Sequence, residues 1–404
     1  MLSPILCGLL VMYGAAGCFA PSELTMTSPQ RDYINGSFPF SLRYNSGAAI
    51  SASTEADDTD NRKLSATLML FDIFPVKEVS VTLAERKYVV PGGQPFGLRI
   101  YSDGLLISSV CTVETSNGEA CPADDAGICQ GDVVVSVNGN RLAANEQLLE
   151  AVALSGGKPL TLTLKRDGKA FETTITPVYD STVKEYRIGL NIRDSIAGIG
   201  TMTFIDPSNR SFAGLGHGIC DSGSGSLMPM LEGDIVPATI TSVTKSICGS
   251  PGSLCGKFSG NESCGSLALN SNHGVYGTVK SVSQNAETIP VAFKQETVRG
   301  DAQIITTVDG TAPEYYNVRI EDVSYNDRGT VKNMIIKITD ERLLRKTGGI
   351  VQGMSGSPII QNGMLVGAVT HVFVNDPARG YAVFAENMLP FTEGISNRQS
   401  ANAA

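Results

Sequence analysis

The stretch that decides the fold is Gly353-Met354-Ser355-Gly356-Ser357-Pro358, in which one serine stands between glycines where the backbone can turn sharply. Ser355 is the candidate nucleophile, because a serine hydroxyl attacks only when a base takes its proton and N–H donors meet the oxyanion that forms. The glycines allow the amides of Gly353 and Ser355 to converge as an oxyanion hole. A glycine-rich turn without chemistry is the alternative interpretation.

A β-hairpin is predicted directly after this loop. Pro358-Ile-Ile is typical of a strand, Gln361-Asn362-Gly363 contains the Asn-Gly pair favoured in tight turns, and Met364-Leu-Val-Gly-Ala-Val-Thr-His-Val is typical of the return strand. A nucleophile loop that leads into a hairpin indicates a barrel protease, since hydrolases built on Gly-x-Ser-x-Gly use a strand-to-helix elbow.

Composition indicates a globular, mostly β protein. The 404 residues suggest two or three domains, and 42% hydrophobic with 18% charged residues is ordinary for folded chains. The 43 glycines and the abundant Val, Ile and Thr favour short strands and turns. The net charge of −9 is spread without a basic block, which argues against a nucleic-acid partner or a polybasic membrane patch.

The N-terminal part predicts export. Met1–Ala20 is uncharged and nearly all apolar or small, as in a signal or membrane-anchor segment, with a buried helix as the alternative. Residues 21–65 are polar and predict a linker. No later stretch reaches about 18 uninterrupted apolar residues, so we expect the rest to be soluble outside the cytoplasm or tethered to a membrane surface.

The cysteines leave two interpretations open. Seven of the nine lie in the exported part, where they form disulfides or remain buried thiols. No Cys-x-x-Cys occurs and the three histidines are far apart, so we expect no metal site. The sequence-near candidate pairs are Cys121/Cys129, Cys220/Cys248 and Cys255/Cys264.

Residues 66–180 carry several spaced segments that together resemble a PDZ domain: a glycine-hydrophobic loop, the Gly131–Gly139 segment, a helix at Asn145–Leu154 and a hairpin turning at Asp167-Gly168. The resemblance implies a peptide groove between a strand at Phe96–Ile100 and that helix. The ligand carboxylate would lie on backbone amides of the loop formed by Gln94, Pro95, Phe96, Gly97 and Leu98. Alternatively, the glycines only shape turns.

His217 is the candidate base. It lies between glycines in Ala213-Gly-Leu-Gly-His-Gly218, and a neutral imidazole is the natural acceptor of the serine proton. Asp340 has two interpretations: it caps the helix that begins at Glu341, or its carboxylate orients His217.

Four longer motifs identify a family. They are Gly198-Ile-Gly-Thr-Met-Thr-Phe-Ile-Asp-Pro207, the His217 segment, Lys337-Ile-Thr-Asp-Glu-Arg-Leu-Leu344 and Gly348-Gly-Ile-Val-Gln-Gly-Met-Ser-Gly-Ser-Pro-Ile-Ile-Gln-Asn-Gly363. They closely resemble the SpoIVB sporulation serine peptidase family. The resemblance implies a PDZ domain followed by a chymotrypsin-like double β-barrel at 181–396, with a tail at 397–404. By position, Ser355 falls on the nucleophile, His217 on the base and Asp340 on the acid.

The same resemblance implies a function. The family cuts a regulatory membrane protein in the space between the two membranes of a developing endospore, which leads to activation of a late sigma factor. It also cuts itself near its own N-terminus. No cofactor is implied, and the protein is expected to be membrane-tethered or released after processing.

Three alternatives stay open. His371, on the return strand after the nucleophile, either shapes the pocket for the substrate residue before the cut or is a structural histidine. The chain could be a binding protein that acts through its PDZ-like groove after losing activity. It could also be a thiol enzyme, since Cys220 lies three residues after His217.

Overall fold

The structure is a computed structural model that describes residues 20–28, 40–44, 62–260, 262–326 and 330–402, together with Gly14 and Gly17. The predicted segment Met1–Ala20 lies almost entirely outside these residues, as do Cys7 and Cys18. Within the described ranges, no helix is both long enough and apolar enough to cross a bilayer.

Strands dominate the described chain, as the composition predicts, and helices are few. Up to the end of the PDZ-like region the elements are β1 (Glu23–Met26), β2 (Phe40–Tyr44), β3 (Arg62–Leu70), β4 (Phe74–Leu83), β5 (Tyr88–Pro91), β6 (Pro95–Val110), β7 (Val113–Thr115), β8 (Gly118–Ala120), α1 (Pro122–Asp125), β9 (Val133–Val137), β10 (Asn140–Arg141), α2 (Asn145–Ser155), β11 (Leu160–Arg166), β12 (Lys169–Ile175), β13 (Val178–Asp180) and β14 (Glu185–Arg187).

The remaining elements build most of two barrels. They are β15 (Leu190–Ile205), β16 (Ser211–Gly214), β17 (Glu232–Thr244), β18 (Ser253–Phe258), β19 (Gly265–Ser271), β20 (Gly274–Val279), β21 (Ile289–Pro290), β22 (Gly300–Thr306), β23 (Glu314–Val323), β24 (Met334–Ile338), α3 (Glu341–Thr347), β25 (Pro358–Gln361), β26 (Met364–Phe373), β27 (Asp376–Phe384) and α4 (Leu389–Asn402), with 3-10 turns at Lys294–Glu296 and Glu386–Met388.

A separate four-stranded sheet, ordered β1-β4-β3-β2, precedes the barrels. Leu24, Leu42, Leu68 and Val81 are buried in its core. The predicted linker at 21–65 is therefore wrong for β1, β2 and the start of β3, because isolated apolar residues inside polar sequence are enough for short strands to bury one face.

The first barrel closes through six strands in the order β6-β17-β19-β20-β16-β15, with β15 pairing back onto β6. Its core contains Phe96, Leu98, Met202 and Ile235. The second barrel is closed in the order β22-β23-β24-β27-β26-β25. The two barrels pack through a shared apolar cluster that includes Phe204 and Tyr276 of the first and Leu365 and Val383 of the second.

A PDZ-like unit is inserted into the first barrel through two long strands. In the barrel, β6 and β15 pair from Pro95/Thr201 to Tyr101/Ser195, and both strands then continue into the unit, where Leu106–Val110 pairs with Leu190–Arg193. There β9, β11 and β12 extend the sheet, and α2 packs on it with Leu148 and Val152. The predicted helix at Asn145–Leu154 and the hairpin at Asp167-Gly168 are both confirmed.

The predicted peptide-binding loop at Gln94, Pro95, Phe96, Gly97 and Leu98 is corrected by this topology. Residues 95–98 begin β6, which pairs with β15 on one edge and with β17 on the other. Phe96 and Leu98 are 2% and 3% exposed in the barrel core. Both edges are occupied, so no peptide can add a strand there.

Candidate active site

The cleft between the barrels brings together two of the three predicted triad residues. It has a volume of about 440 Å³, and its lining includes His217 and Gly218 from the first barrel and Gly353, Ser355 and His371 from the second. The sequence-derived nucleophile and base, which lie far apart in the chain, therefore share one cavity.

The turn that precedes His217 sets the direction of its side chain. Leu215 and Gly216 both have left-handed backbone conformations, with φ of 66° and 69°. A buried leucine in this conformation stores strain of about 1–3 kcal/mol, which is a feature of functional sites. His217 Nδ1 lies 2.9 Å from the Gly218 carbonyl oxygen. A carbonyl can only accept, so Nδ1 carries the proton and Nε2 is left free to accept one.

The imidazole of His217 is held in its neutral form. Burial lowers its pKa from the ordinary 6.5, and the hydrogen bond to the Gly218 carbonyl offsets part of that effect. Burial and then the neighbouring His217 and Lys332 lower the pKa of His371 to about 4. Both rings are therefore neutral at pH 7.

These pKa values predict the pH dependence of Ser355 reactivity. Only neutral His217 accepts the serine proton, so we expect the rate of fluorophosphonate labelling to fall with decreasing pH, with a midpoint below 6.5. Labelling rates measured from pH 4 to 9 test this. A midpoint at or above 6.5 would contradict the burial of the imidazole.

The nucleophile loop is held by hydroxyl groups of the opposite barrel. The Thr201 hydroxyl donates to the Gly353 carbonyl at 2.7 Å, and the Thr203 hydroxyl donates to the Gly356 carbonyl at 2.8 Å. The Ser355 hydroxyl itself donates to the Thr370 carbonyl at 2.8 Å. Sequence reasoning missed the two threonines, although their alternation on one strand face was a usable signal.

The amides predicted as an oxyanion hole have no acceptor within the described part of the chain. The Gln352 carbonyl accepts from the Leu254 N–H at 2.8 Å. Because C=O and N–H point in opposite directions across a trans peptide, this contact turns the Gly353 N–H away from Leu254. The amides of Gly353 and Ser355 thus remain available to an anion.

Asp340 lies outside the residues that line the cleft. Its carboxylate accepts from the Arg342 amide at 2.9 Å and the Leu343 amide at 3.4 Å, as the cap of α3, and pairs with the Arg342 guanidinium at 3.1 Å. Burial alone would raise the pKa of Asp340, but the Arg342 side chain and the Asn317, Arg342 and Leu343 amides lower it. No hydrogen bond or ion pair joins it to His217 in the described chain.

Two other predicted residues line the cleft. The His371 ring lies beside that of His217, with centroids 5.1 Å apart. Cys220 also lines it, and burial raises the pKa of its thiol. All seven cysteines of the described ranges are free thiols, so none of the candidate disulfides is formed. No cluster suited to a metal ion occurs in the same ranges.

The PDZ-like unit has an open strand edge at a position that sequence reasoning missed. Leu190–Arg193 pairs with β6 on one edge, and no described strand pairs with the other. Helix α2 lies beside it, where the Asn145 N–H donates to the Asp194 carboxylate at 3.1 Å. The signal was Ile188-Gly189-Leu190, which repeats the glycine-between-apolar pattern of Phe96-Gly97-Leu98.

Zinc metalloproteases of other bacteria share a short region of similarity with this chain. Zinc metalloprotease RasP of Geobacillus kaustophilus is 36% identical over 76 residues, 18% of this chain and 18% of RasP. RasP of Shouchella clausii is 32% identical over 80 residues, 20% of this chain and 18% of RasP. The chain thus spans less than a fifth of the length of these two relatives.

Solved structures with similarity include the active form of the Rv3671c protease from M. tuberculosis. It is 15% identical with a TM-score of 0.26, covering 48% of this chain and 72% of that one. The PDZ domain of the SdrC-like protein from Listeria monocytogenes is 19% identical with a TM-score of 0.20, covering 24% of this chain and 93% of that one.

A serine and a histidine contributed by separate six-stranded barrels place this chain in the class of two-barrel serine peptidases. A PDZ domain model matches residues 115–166, within the inserted unit. The model for the SpoIVB peptidase S55 matches residues 184–389, about half of the chain, so the chain belongs to that family. The predicted fold class, mostly β with a PDZ domain and a chymotrypsin-like double barrel, is confirmed, and the PDZ unit that was predicted to precede the double barrel is inserted in its first barrel.

Proposed function

We propose that the protein is an exported serine endopeptidase in which His217 takes the proton of Ser355 as the hydroxyl attacks the scissile carbonyl. The amides of Gly353 and Ser355 then stabilise the oxyanion. The observation that carries this proposal is the single cleft that holds base, nucleophile and both free amides. No cofactor takes part in this chemistry.

The observed arrangement corresponds to a resting state. The Ser355 hydroxyl donates to the Thr370 carbonyl, so it must turn toward His217 Nε2 before attack. Rotation about χ1 is enough for a serine to exchange one acceptor for another. Substrate that adds along the cleft as a strand would favour this change.

We propose Asp340 as the third triad member in the active conformation only. At present it caps the far end of α3, a seven-residue helix about 10 Å long, so the N-terminus of α3 would have to move to the cleft. We expect Asp340→Asn to slow Ser355 labelling about 10⁴-fold. Asparagine caps helices about as well as aspartate, so the cap of α3 is kept, while loss of the ion pair with Arg342 lowers thermal stability.

A labelling rate within twofold of the unmodified protein would remove Asp340 from the triad. It would remain the cap of α3, and His217 would be oriented by the Gly218 carbonyl alone.

His371 is proposed to shape the pocket for the substrate residue before the cut, since its side chain lines the cleft beside His217. We expect His371→Ala to change the residue preference at that position in a peptide-library digest, with Ser355 labelling kept within a few-fold. An unchanged cleavage profile would make His371 a structural residue.

The proposed substrate is a regulatory membrane protein, together with the enzyme's own N-terminal segment, in sporulation signalling that activates a late sigma factor. Family membership supports this role. The proposed location is the intermembrane space of the endospore, with residues 1–20 as signal or anchor. The PDZ unit is proposed to take a peptide as an added strand along Leu190–Arg193, next to α2.

Mass spectrometry of the purified protein and its Ser355→Ala variant tests the proposal. We expect self-cleavage products and fluorophosphonate labelling in the first and neither in the second. A protein that binds peptides but shows neither would support the inactive binding protein instead. Inactivation by iodoacetamide at Cys220 would support a thiol enzyme, although the raised thiol pKa is opposite to that of an activated cysteine.

A further inference from the structure

A loop of the first barrel that follows the proposed base in the chain contacts the PDZ unit. It comprises residues 220–227, is closed by a bridge between Cys220 and Leu227, and starts three residues after His217. Inside it, the Asp221 N–H donates to the Ser226 carbonyl at 2.9 Å. We refer to it as the 220–227 loop.

A buried carboxylate attaches this loop to both long strands of the PDZ unit. Asp221 is 1% exposed. Its Oδ2 accepts from the Ser108 hydroxyl of β6 at 2.9 Å, and its Oδ1 lies 2.7 Å from Arg193 Nε of β15. The amides of Gly223 and Ser224 donate to Oδ2 at 3.0 and 2.7 Å. A buried charge is tolerated only with partners of this kind.

The charged state of this group follows from its partners. Burial alone would raise the pKa of Asp221, but hydrogen bonds from Ser224 and Ser108 and the charge of Arg193 lower it below its ordinary value. Asp221 is therefore ionised at neutral pH. Loss of its charge would leave Arg193 and the Ser108, Gly223 and Ser224 donors without a charged acceptor.

A second contact fixes the tip of the 220–227 loop. Gln130 of the PDZ unit donates from Nε2 to the Gly223 carbonyl at 2.7 Å and to the Ser108 carbonyl at 2.9 Å. Gly131 packs so closely that a Cβ on it would lie 2.8 Å from Ser226 Oγ. The outer side of the loop thus rests on the PDZ unit.

The inner side of the same loop holds the acceptor that orients the base. A Cβ on Gly218 would lie 2.4 Å from Leu227 Cδ1 and 2.7 Å from the Ser271 carbonyl oxygen, so Gly218 is tightly enclosed. Its carbonyl accepts from His217 Nδ1. Displacement of Leu227, the last loop residue, would therefore displace the carbonyl that directs the imidazole.

We propose that Asp221 is a positioning residue through which the PDZ unit holds His217 in its orientation toward the cleft. This inference rests on the proposed function of His217 and Ser355. A peptide that adds to the open edge at Leu190–Arg193 would contact the backbone of Arg193, whose side chain pairs with Asp221. Occupancy of the PDZ groove and the orientation of the base are thereby linked.

The test measures fluorophosphonate labelling of Ser355 in the full chain as a function of pH. We expect Asp221→Asn to lower the labelling rate at least tenfold and to shift the pH midpoint, because the environment of His217 changes. Arg193→Gln should act in the same direction, and Arg193→Lys should restore part of the rate.

Asp180→Asn is the matched control. Asp180 is also a buried carboxylate that accepts from turn amides, those of Thr182 and Val183, and lies 3.9 Å from an arginine, Arg187, but none of these residues is in the 220–227 loop. Its rate and midpoint should match those of the unmodified protein.

The outcomes separate the two proposals. If the unmodified protein is labelled at Ser355 while Asp221→Asn and Arg193→Gln keep its rate and midpoint, the positioning role is overturned and the proposed function stands. If the unmodified protein is not labelled at all, both fail. Should Asp221→Asn not fold, Arg193→Gln against Arg193→Lys decides.

Discussion

A His217→Ala variant is expected to lose fluorophosphonate labelling of Ser355 by about 10⁶-fold, the loss typical of removing the base from a serine-histidine unit. His217 is the histidine whose Nδ1 proton is fixed by a carbonyl, which leaves Nε2 free to accept. Without that acceptor the Ser355 hydroxyl keeps its proton and its contact with the Thr370 carbonyl. Mass spectrometry of the labelled active-site peptide measures the rate.

His273→Ala provides the control for loss of a histidine. His273 stacks on Phe391, with ring centroids 5.4 Å apart, and is not among the residues that line the cleft. Its replacement should leave labelling within twofold. Labelling of His217→Ala at more than a tenth of the unmodified rate would show that another group activates Ser355.

Gly356→Ala is expected to lower the labelling rate roughly 100-fold by a different route. Gly356 has φ of 93°, which an L-residue adopts at a cost of about 1–3 kcal/mol. A Cβ there would also lie 2.1 Å from the Thr201 carbonyl oxygen and 2.5 Å from the Leu215 N. The nucleophile loop must shift, and a displacement of about 1 Å in an active site costs roughly 100-fold in rate.

Gly363→Ala separates backbone strain from this contact. Gly363 has φ of 77° in the turn between β25 and β26, and a Cβ there would meet no atom within 4 Å. We expect Gly363→Ala to lower the free energy of unfolding by about the same backbone strain energy as Gly356→Ala, while the labelling rate of Ser355 stays unchanged. If both variants label equally, the tight contact with Thr201 and Leu215 does not position the nucleophile.

Local signals in the sequence were sufficient to predict the hairpin that follows Ser355. The strands at Pro358–Gln361 and Met364–Phe373 and the turn between them match the prediction, because Asn362 and Gly363 both adopt the left-handed conformation that such a turn requires. The choice of His217 and Ser355 likewise came from residue chemistry next to glycines, and the structure places both in one cleft.

Nonlocal pairing explains what the sequence did not reveal. The same pattern of a glycine between apolar residues occurs at Phe96-Gly97-Leu98 and at Ile188-Gly189-Leu190. The first lies inside a closed barrel, whereas the second leads into a strand with an open edge. Which strand has a free edge depends on partners distant in the chain. The threonine contacts to Gly353 and Gly356 cross between barrels and have no local signature beyond alternation.

Asp340 shows how one residue satisfies two local patterns. Its position before Glu341 predicts a helix cap, and the family motif predicts an acid. The structure shows the cap contacts, with the carboxylate bound to the first amides of α3. Both patterns are local, and a local pattern does not determine whether the Asp340 carboxylate lies near His217.

The two long strands shared by the first barrel and the PDZ unit determine the order in which the chain can fold. Tyr101 and Ser195 pair across more than ninety intervening residues, so closing this contact from a disordered chain is entropically costly and slow. A PDZ unit that has already folded holds its own ends of β6 and β15 in register. The remaining residues of the two strands then pair one after another, without closing a long disordered loop. We therefore expect the peptidase barrel to form after the unit inserted in it, and a chain with an unfolded PDZ unit to lack an assembled cleft between the barrels.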